Sequence, residues 1–158
     1  MSQGKHRPCR FEAYRKNLDA RLQQFLRRDF VLAESLSFNA LPTDLILLEG
    51  RVECLQGLCV DVLERLRVLS GCDHKATVKR SGYSYNVALT GVGNVMRYDS
   101  PHISHRQEHH VHRYDVLSGD TEGTVEFIYD ESQTPALYDV LEETSMWFYE
   151  NYERLQRP

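Results

Sequence analysis

The segment 45-LILLEGRVECLQGLCVDVLERLRV-68 decides the fold that this sequence predicts. On both sides of Gln56-Gly57, apolar residues recur at every second position, which is the period of a strand with one buried face. Glycine adopts the backbone angles of a tight turn without steric cost, so Gln56-Gly57 reads as a turn. We therefore predict a β-hairpin with strands over residues 45–54 and 58–68.

Further strands follow the hairpin at short intervals. Residues 76–89 supply a third strand with an alternating central part, and residues 95–99 supply a short fourth strand. Connections this short join antiparallel neighbours, because parallel neighbours need crossovers of a dozen or more residues. Residues 124–129 are predicted as an edge strand. The sheet is therefore expected to be an antiparallel β-meander of four to five strands.

Helical periodicity flanks the strands at both ends of the chain. From residue 11 to about residue 38, apolar side chains recur at helical spacing without an internal Gly or Pro, which predicts an amphipathic helix or a pair of helices. Near the other end, Thr134-Pro135 is typical of a helix start, and one apolar face continues to about Leu155. Because one face of the sheet needs a cover, the predicted class is α+β, with N-terminal and C-terminal helices packed on the meander.

Length and composition indicate one globular domain. The chain has 158 residues, of which 41% are hydrophobic and 27% are charged, as in ordinary soluble proteins. Residues 1–10 are polar and are expected to be disordered, which leaves a single domain over residues 11–158. No apolar run approaches the ~20 residues of a membrane span, and residues 1–10 lack the apolar stretch of a secretory signal. We therefore expect a cytoplasmic protein without membrane contact.

Charge is unevenly placed along the chain. Residues 1–28 are rich in Lys and Arg, whereas residues 120–153 contain many acidic residues and no basic one. This polarity suggests a basic end that can meet phosphate groups and an acidic end that would repel them. The four cysteines show no C-x-x-C spacing, so neither a zinc knuckle nor a thioredoxin-type site is predicted.

Five of the seven histidines lie in one segment, 102-HISHRQEHHVH-112. The tripeptide Arg-Tyr-Asp stands on each side of it, at residues 97–99 and 113–115. A carboxylate beside an imidazole orients the ring, selects its tautomer and stabilises its protonated form. The segment between the two tripeptides is therefore the predicted functional site.

Three uses of the histidine segment compete. In the first, two imidazoles cleave an RNA phosphodiester as general base and general acid, because the pKa of imidazole lies near the working pH. Along an extended segment His110 and His112 share one side, so they are the predicted pair. In the second use, imidazoles bind Zn²⁺ or another divalent metal, with Asp99 as a further ligand. In the third, exposed histidines of a polar loop serve solubility or pair with an acidic partner.

The first use assigns a role to each residue around the segment, and it needs no cofactor and no metal. The catalytic set comprises His110 and His112 as acid/base pair, His109 and His105 as helpers or ligands, Arg97 and Arg113 on phosphate, and Asp99 orienting a histidine. The substrate-binding set comprises Tyr83, Tyr85 and Tyr98 stacking on bases, and His102 and Arg106 beside them. Secondary candidates for phosphate contacts are Lys75, Lys79, Arg80 and Arg106.

The order of these features resembles the TumE-like family, the toxin half of toxin–antitoxin modules. The resemblance covers about residues 45–145, through the segments EGRVECLQGLCVDVLERLRV, YSYNVALTGVGNVMRYDSPH, HHVH and PALYDVLEE. Its RYD…PH…HH-x-H core implicates Arg97, Tyr98, Asp99, Pro101, His102, His109, His110 and His112. The chain departs from the family pattern at Ser100, where Asn is usual, and at Glu108, where Pro is typical.

The leading hypothesis from the sequence is a toxin that acts on RNA through the histidine segment, with an antitoxin protein as the partner that the resemblance implies. An alternative from another class is a non-catalytic protein-interaction module, in which the tyrosines and the acidic helix over residues 134–155 bind a protein. A third is a metal-binding regulator that uses the same histidines. The sequence indicates no oligomeric state.

Overall fold

The structure is a computed structural model that describes residues 6–102 and 107–157. Within these residues, nine strands form one antiparallel sheet accompanied by two α-helices. The strands are β1 (Cys9–Arg10), β2 (Val31–Glu34), β3 (Ser37–Leu41), β4 (Leu45–Cys54), β5 (Leu58–Ser70), β6 (Thr77–Leu89), β7 (Gly93–Asp99), β8 (His109–Arg113) and β9 (Thr124–Ile128). The helices are α1 (Phe11–Arg27) and α2 (Leu137–Leu155). The predicted antiparallel sheet with a helix towards each end is confirmed, but the described residues contain nine strands instead of four to five.

The strands β4 to β9 cross the sheet in chain order, each antiparallel to the next. The predicted hairpin is the first unit of this meander, with Leu45 paired to Arg67. Gln56 and Gly57 at its turn have φ of 56° and 80°, and such left-handed angles close a tight turn. The alternation therefore predicted the centre of the sheet correctly. It missed β8, because the histidine segment was expected to be a loop.

The helix predicted over residues 11–38 is wrong beyond residue 27. α1 ends at Arg27, and Asp29 then takes a left-handed φ of 56°. β2 and β3 pair with opposite halves of β4, so these residues make their backbone hydrogen bonds at a sheet edge. Between the two strands the Ser35 backbone passes so close to Gly50 that a Cβ on Gly50 would overlap it. Pairing with a neighbouring strand overrides the local helical periodicity here.

Two residues of the tail that was predicted to be disordered belong to the sheet. Cys9 and Arg10 pair with the beginning of β6 as β1, although disorder was expected over residues 1–10. Phe11 follows directly and is buried in α1 beside the sheet. Residues 1–5 lie outside the described residues, so the expectation of disorder concerns them alone.

The C-terminal helix begins later than Thr134-Pro135 predicts. α2 starts at Leu137, and the backbone N–H of Ala136 donates a 2.8 Å hydrogen bond to the Asp139 carboxylate. A carboxylate in the first turn satisfies an otherwise open N–H and interacts favourably with the helix dipole. The Thr134 hydroxyl instead closes the preceding turn. No helix among the described residues is long and apolar enough to cross a membrane.

Alternate strand residues divide between two faces of the sheet. One face carries the buried apolar side chains, and the buried residues of α1 and α2 belong to the same cluster, so both helices cover this face. The opposite face of β4–β9, called the open face below, has no helix over it in the part of the chain that the structure describes. On β7 and β8 the open face carries Arg97, Asp99, His110 and His112.

Candidate functional site

The pairing of β7 with β8 builds a compact polar group on the open face. Asp99 lies directly opposite His110, and Arg97 lies directly opposite His112. Side chains at directly opposite positions of an antiparallel pair point to the same face. The rings of His110 and His112 are 5.1 Å apart between centroids, so the prediction that these two histidines share one side is confirmed.

The donor atoms of three of these side chains converge. Asp99, His110 and His112 each offer one ligand atom, and these atoms all lie within 4.8 Å of one another. The Nε2 atom of His110 is 3.8 Å from Oδ2 of Asp99. His102 adds a further imidazole from the chain after β7, with its Nε2 atom 3.2 Å from Nε2 of His110. One carboxylate oxygen and two imidazole nitrogens, from His110 and His112, thus converge, and the His102 ring lies beside His110.

The hydrogen bond of His110 determines which of its nitrogens faces that point. Nδ1 of His110 is 2.9 Å from the carbonyl oxygen of Glu108. A carbonyl oxygen only accepts, so Nδ1 must carry the proton, and Nε2 of the neutral ring holds a lone pair. Histidines that ligate metals usually donate their other ring N–H to a carbonyl or carboxylate in this way. His110 is therefore oriented as a ligand through Nε2.

Asp99 and His110 are withdrawn from solvent. Asp99 is 5% exposed and His110 is 0% exposed. Nε of Arg97 lies 2.8 Å from Oδ2 of Asp99, yet this oxygen accepts no well-aligned hydrogen bond from any described residue. The short separation therefore reflects charge attraction rather than a directed bond. A buried carboxylate oxygen without a directed donor is costly unless something else satisfies it.

This donor set fits a divalent transition metal. Imidazole nitrogens and a carboxylate oxygen bind Zn²⁺, and two histidines with one carboxylate also hold Fe²⁺. Zn–N bonds of about 2.0–2.1 Å in tetrahedral geometry place two donor atoms roughly 3.3 Å apart. The separation between Nε2 of His110 and Oδ2 of Asp99 is 3.8 Å, and the donor atoms of Asp99, His110 and His112 all lie within 4.8 Å of one another, so small side-chain movements would bring them to bonding distance of one ion.

Two other predicted members of the catalytic set, Arg113 and His109, lie on the opposite, helix-covered face. Arg113 contacts Glu143 at 2.5 Å and Glu126 at 3.4 Å, and Tyr98 donates a 2.6 Å hydrogen bond to Glu143. These carboxylates bind Arg113 on the face opposite to His110, so the structure does not bring it together with the group around His110, and its role on phosphate stays a prediction. Tyr98 is hydrogen-bonded to α2 and buried, so its ring is not accessible for stacking on a base.

Tyr83 and Tyr85 are also turned inward. Tyr83 is 3% exposed and Tyr85 is 0% exposed, and neither offers the accessible ring face that base stacking requires. The Tyr83 hydroxyl is 2.8 Å from Nδ1 of His109, and the two rings are stacked. Burial lowers the pKa of His109, which favours its neutral form. His109 is therefore half-buried beside Tyr83 and does not belong to the group around His110.

A buried acidic network was not predicted from the sequence. Glu64 is 2% exposed and accepts hydrogen bonds from the hydroxyls of Tyr14 and Tyr85. Arg80, a secondary candidate for phosphate contact, donates hydrogen bonds of 2.8 Å to the Tyr85 hydroxyl and 2.6 Å to the Pro135 carbonyl. These bonds turn its guanidinium towards the protein and not towards an external phosphate. Burial raises the pKa of the Glu64 carboxyl. The sequence did carry a signal for this burial, because Glu64 stands in the alternating register of the inward-facing residues of β5.

Two residues of the predicted site, His105 and Arg106, are not among the residues that the structure describes. Their roles therefore stay predictions. His102 is exposed, next to His110, and is a candidate ligand rather than a substrate contact. Of the predicted catalytic set, the structure brings together Arg97, Asp99, His110 and His112.

Comparison of the chain with protein-family models, with curated protein sequences and with solved structures finds no match. The resemblance to TumE-like toxins therefore stays a prediction that depends on the motif residues alone.

Proposed function

We propose that this protein binds a divalent transition-metal ion through Asp99, His110 and His112, with His102 as an additional donor. The proposal depends on one observation: a carboxylate oxygen and imidazole nitrogens converge on the side of His110 where Nε2 carries its lone pair. The buried Oδ2 atom of Asp99, which accepts no aligned hydrogen bond from the described residues, supports the same conclusion. A cation at this point would satisfy it.

Metal binding fits the geometry better than metal-free acid/base catalysis by His110 and His112. A general acid or base must lie within hydrogen-bond reach of the proton that it moves. His110 is fully buried, and its Nδ1 atom is held by the Glu108 carbonyl, so the ring does not reach a phosphodiester in solution. The buried ring of His110, with Nδ1 held by the Glu108 carbonyl and Nε2 turned towards Asp99, is oriented as a metal ligand.

RNA cleavage by a TumE-like toxin is the second candidate function. Arg97 supports it, because this half-exposed guanidinium lies across from His112, where it can stabilise charge on a phosphate. A bound Zn²⁺ supplies a Lewis acid and an activated water for hydrolysis. The toxin hypothesis and its antitoxin partner follow from the motif resemblance.

Metal loading of the purified full-length chain tests the first proposal. The protein is incubated with Zn²⁺, exchanged into metal-free buffer and analysed for bound zinc per chain. We expect stoichiometric zinc in the wild type and its loss in His110→Ala and His112→Ala. Asp61→Asn is the matched control, because Asp61 lies on the same face in an ion pair with Arg51. Equal zinc in all four proteins, or none in the wild type, contradicts the proposal.

The RNA hypothesis has its own test. Zn²⁺-loaded wild type and His112→Ala are each incubated with total cellular RNA. Fragments produced by the wild type and not by the variant support cleavage. Intact RNA in both samples rules out cleavage while leaving the result on metal binding unaffected.

A further inference from the structure

The open face beside the candidate metal centre carries a row of unpaired basic side chains. Arg67 lies opposite Lys79, and Arg65 lies opposite Gly82 in the pairing of β5 with β6. All three basic residues are exposed. Among the described residues no carboxylate lies within ion-pair distance of them, in contrast to Arg51, which is paired with Asp61. Positive charge on this part of the face is therefore available to an external anion.

Gly82 allows one of these charges to lie next to the metal centre. A Cβ atom on Gly82 would stand 3.3 Å from a terminal nitrogen of Arg65 and 3.3 Å from the Ser100 hydroxyl. The Arg65 guanidinium therefore lies over Gly82, close to Ser100, the residue that follows Asp99. Any larger side chain at this position would displace the guanidinium or the hydroxyl. The row of basic residues thus extends from the β5–β6 end to Ser100, the chain neighbour of Asp99.

Aromatic rings continue the open face on the other side of the centre. Phe127 of β9 lies directly opposite His110, and their ring centroids are 6.4 Å apart. The Tyr129 ring follows 6.2 Å from Phe127, and Tyr129 is 71% exposed. Phe127 is half-buried, so Tyr129 is the ring that is open to solvent. An exposed aromatic ring near basic side chains is the combination with which proteins hold unpaired bases and the phosphates between them.

We infer that this face binds a single-stranded nucleic acid, with phosphates on Arg65, Arg67 and Lys79 and a base on Tyr129. The inference deepens the proposed function, because the strand would cross the metal centre between the two groups. From β5 to β9 the face is roughly 19 Å wide, at about 4.8 Å per strand, which accommodates a short single strand. A duplex fits less well, because its paired bases leave no face free to stack on Tyr129.

Fluorescence anisotropy with labelled single strands of roughly 12 nucleotides tests this inference, with RNA and DNA of the same sequence as separate probes. The full-length protein is titrated in EDTA, so that metal binding does not enter. We expect binding by the wild type that weakens at least tenfold when Arg65, Arg67 and Lys79 are all changed to Gln. The slope of log affinity against log salt should fall by about 2, since each phosphate contact contributes about 0.7. Tyr129→Ala should weaken binding about tenfold.

A matched control carries the same change of charge on the helix-covered side. Arg15, Arg21 and Arg27 of α1 are changed to Gln together, and this protein should bind like the wild type. Loss of binding in the α1 variant but not in the open-face variant overturns the inference. So does the absence of binding at low salt in a wild type that loads zinc normally. Normal oligonucleotide binding by a wild type that takes up no zinc supports the surface and refutes the metal centre alone.

Discussion

Changing Asp99 to Asn separates the stability cost of a buried carboxylate from its use as a ligand. Without metal, the Asp99 carboxylate is 5% exposed and its Oδ2 atom accepts no aligned hydrogen bond from the described residues. Its charged neighbour Arg97 is half-exposed, so Arg97 keeps its hydration when the carboxylate is removed. The isosteric, neutral amide therefore leaves no uncompensated buried charge.

The expected magnitudes follow from this environment. In EDTA the free energy of unfolding of Asp99→Asn should lie within about 1 kcal/mol of the wild type, the range of partly exposed ion pairs. A metal that binds only the folded state stabilises it by about 2.7 kcal/mol at a free concentration of 100 times Kd. The wild type should show this gain with Zn²⁺, whereas Asp99→Asn, which lacks the carboxylate ligand, should lose most of it.

Urea denaturation followed by the fluorescence of Trp147 measures both quantities, because this single tryptophan packs against the core from α2. Asp61→Asn, on the same face, should retain the full gain with Zn²⁺. Destabilisation of Asp99→Asn by about 3 kcal/mol or more without metal would identify Asp99 as a structural ion-pair partner instead. A gain with Zn²⁺ equal to that of the wild type would refute its role as a ligand.

Three further predictions concern the fold around the site. Burial raises the folded-state pKa of Glu64, so between the unfolded-state and folded-state pKa values the folded protein holds a proton that the unfolded chain has released. As the pH rises through this range, the free energy of unfolding should fall by up to about 1.4 kcal/mol per pH unit. Urea titrations at several pH values should show this fall in the wild type and not in Glu64→Gln. Gly50→Ala should cost about 2 kcal/mol or more in thermal denaturation, because its Cβ would overlap the Ser35 backbone at a φ of +144°; a loss below about 0.5 kcal/mol would contradict that reasoning. Tyr98→Phe removes a hydroxyl that donates to Glu143 and should cost about 1–2 kcal/mol with unchanged zinc stoichiometry, whereas loss of zinc would place Tyr98 at the centre after all.

The centre of the sheet was predictable because its signals are local. β4 to β7 alternate apolar and polar residues, and turns containing glycine separate them, so period and boundaries can be read within each segment. β2 and β3 were not predictable in this way. Their apolar residues also match a helical period, and only their pairing with the two halves of β4 makes them strands. That pairing is a tertiary property.

The candidate site was predictable in part for the same reason. Alternation along an extended segment placed His110 and His112 on one side, as the structure has them. The same alternation places Arg113 on the other side, with Glu143 of α2. That assignment required knowing that the strand runs on through Arg113. The group around Asp99 also depends on the register between β7 and β8, which no short segment reveals.

X-ray absorption spectroscopy at the zinc edge of the Zn²⁺-loaded, full-length protein tests the central claim most directly. We predict a first shell of nitrogen and oxygen at about 2.0–2.1 Å, with the outer-shell scattering of at least two imidazole rings, from His110 and His112. In His112→Ala the imidazole scattering should diminish or the zinc should be lost. A wild-type spectrum of oxygen ligands without imidazole scattering, or one unchanged in His112→Ala, would contradict a metal centre at Asp99, His110 and His112.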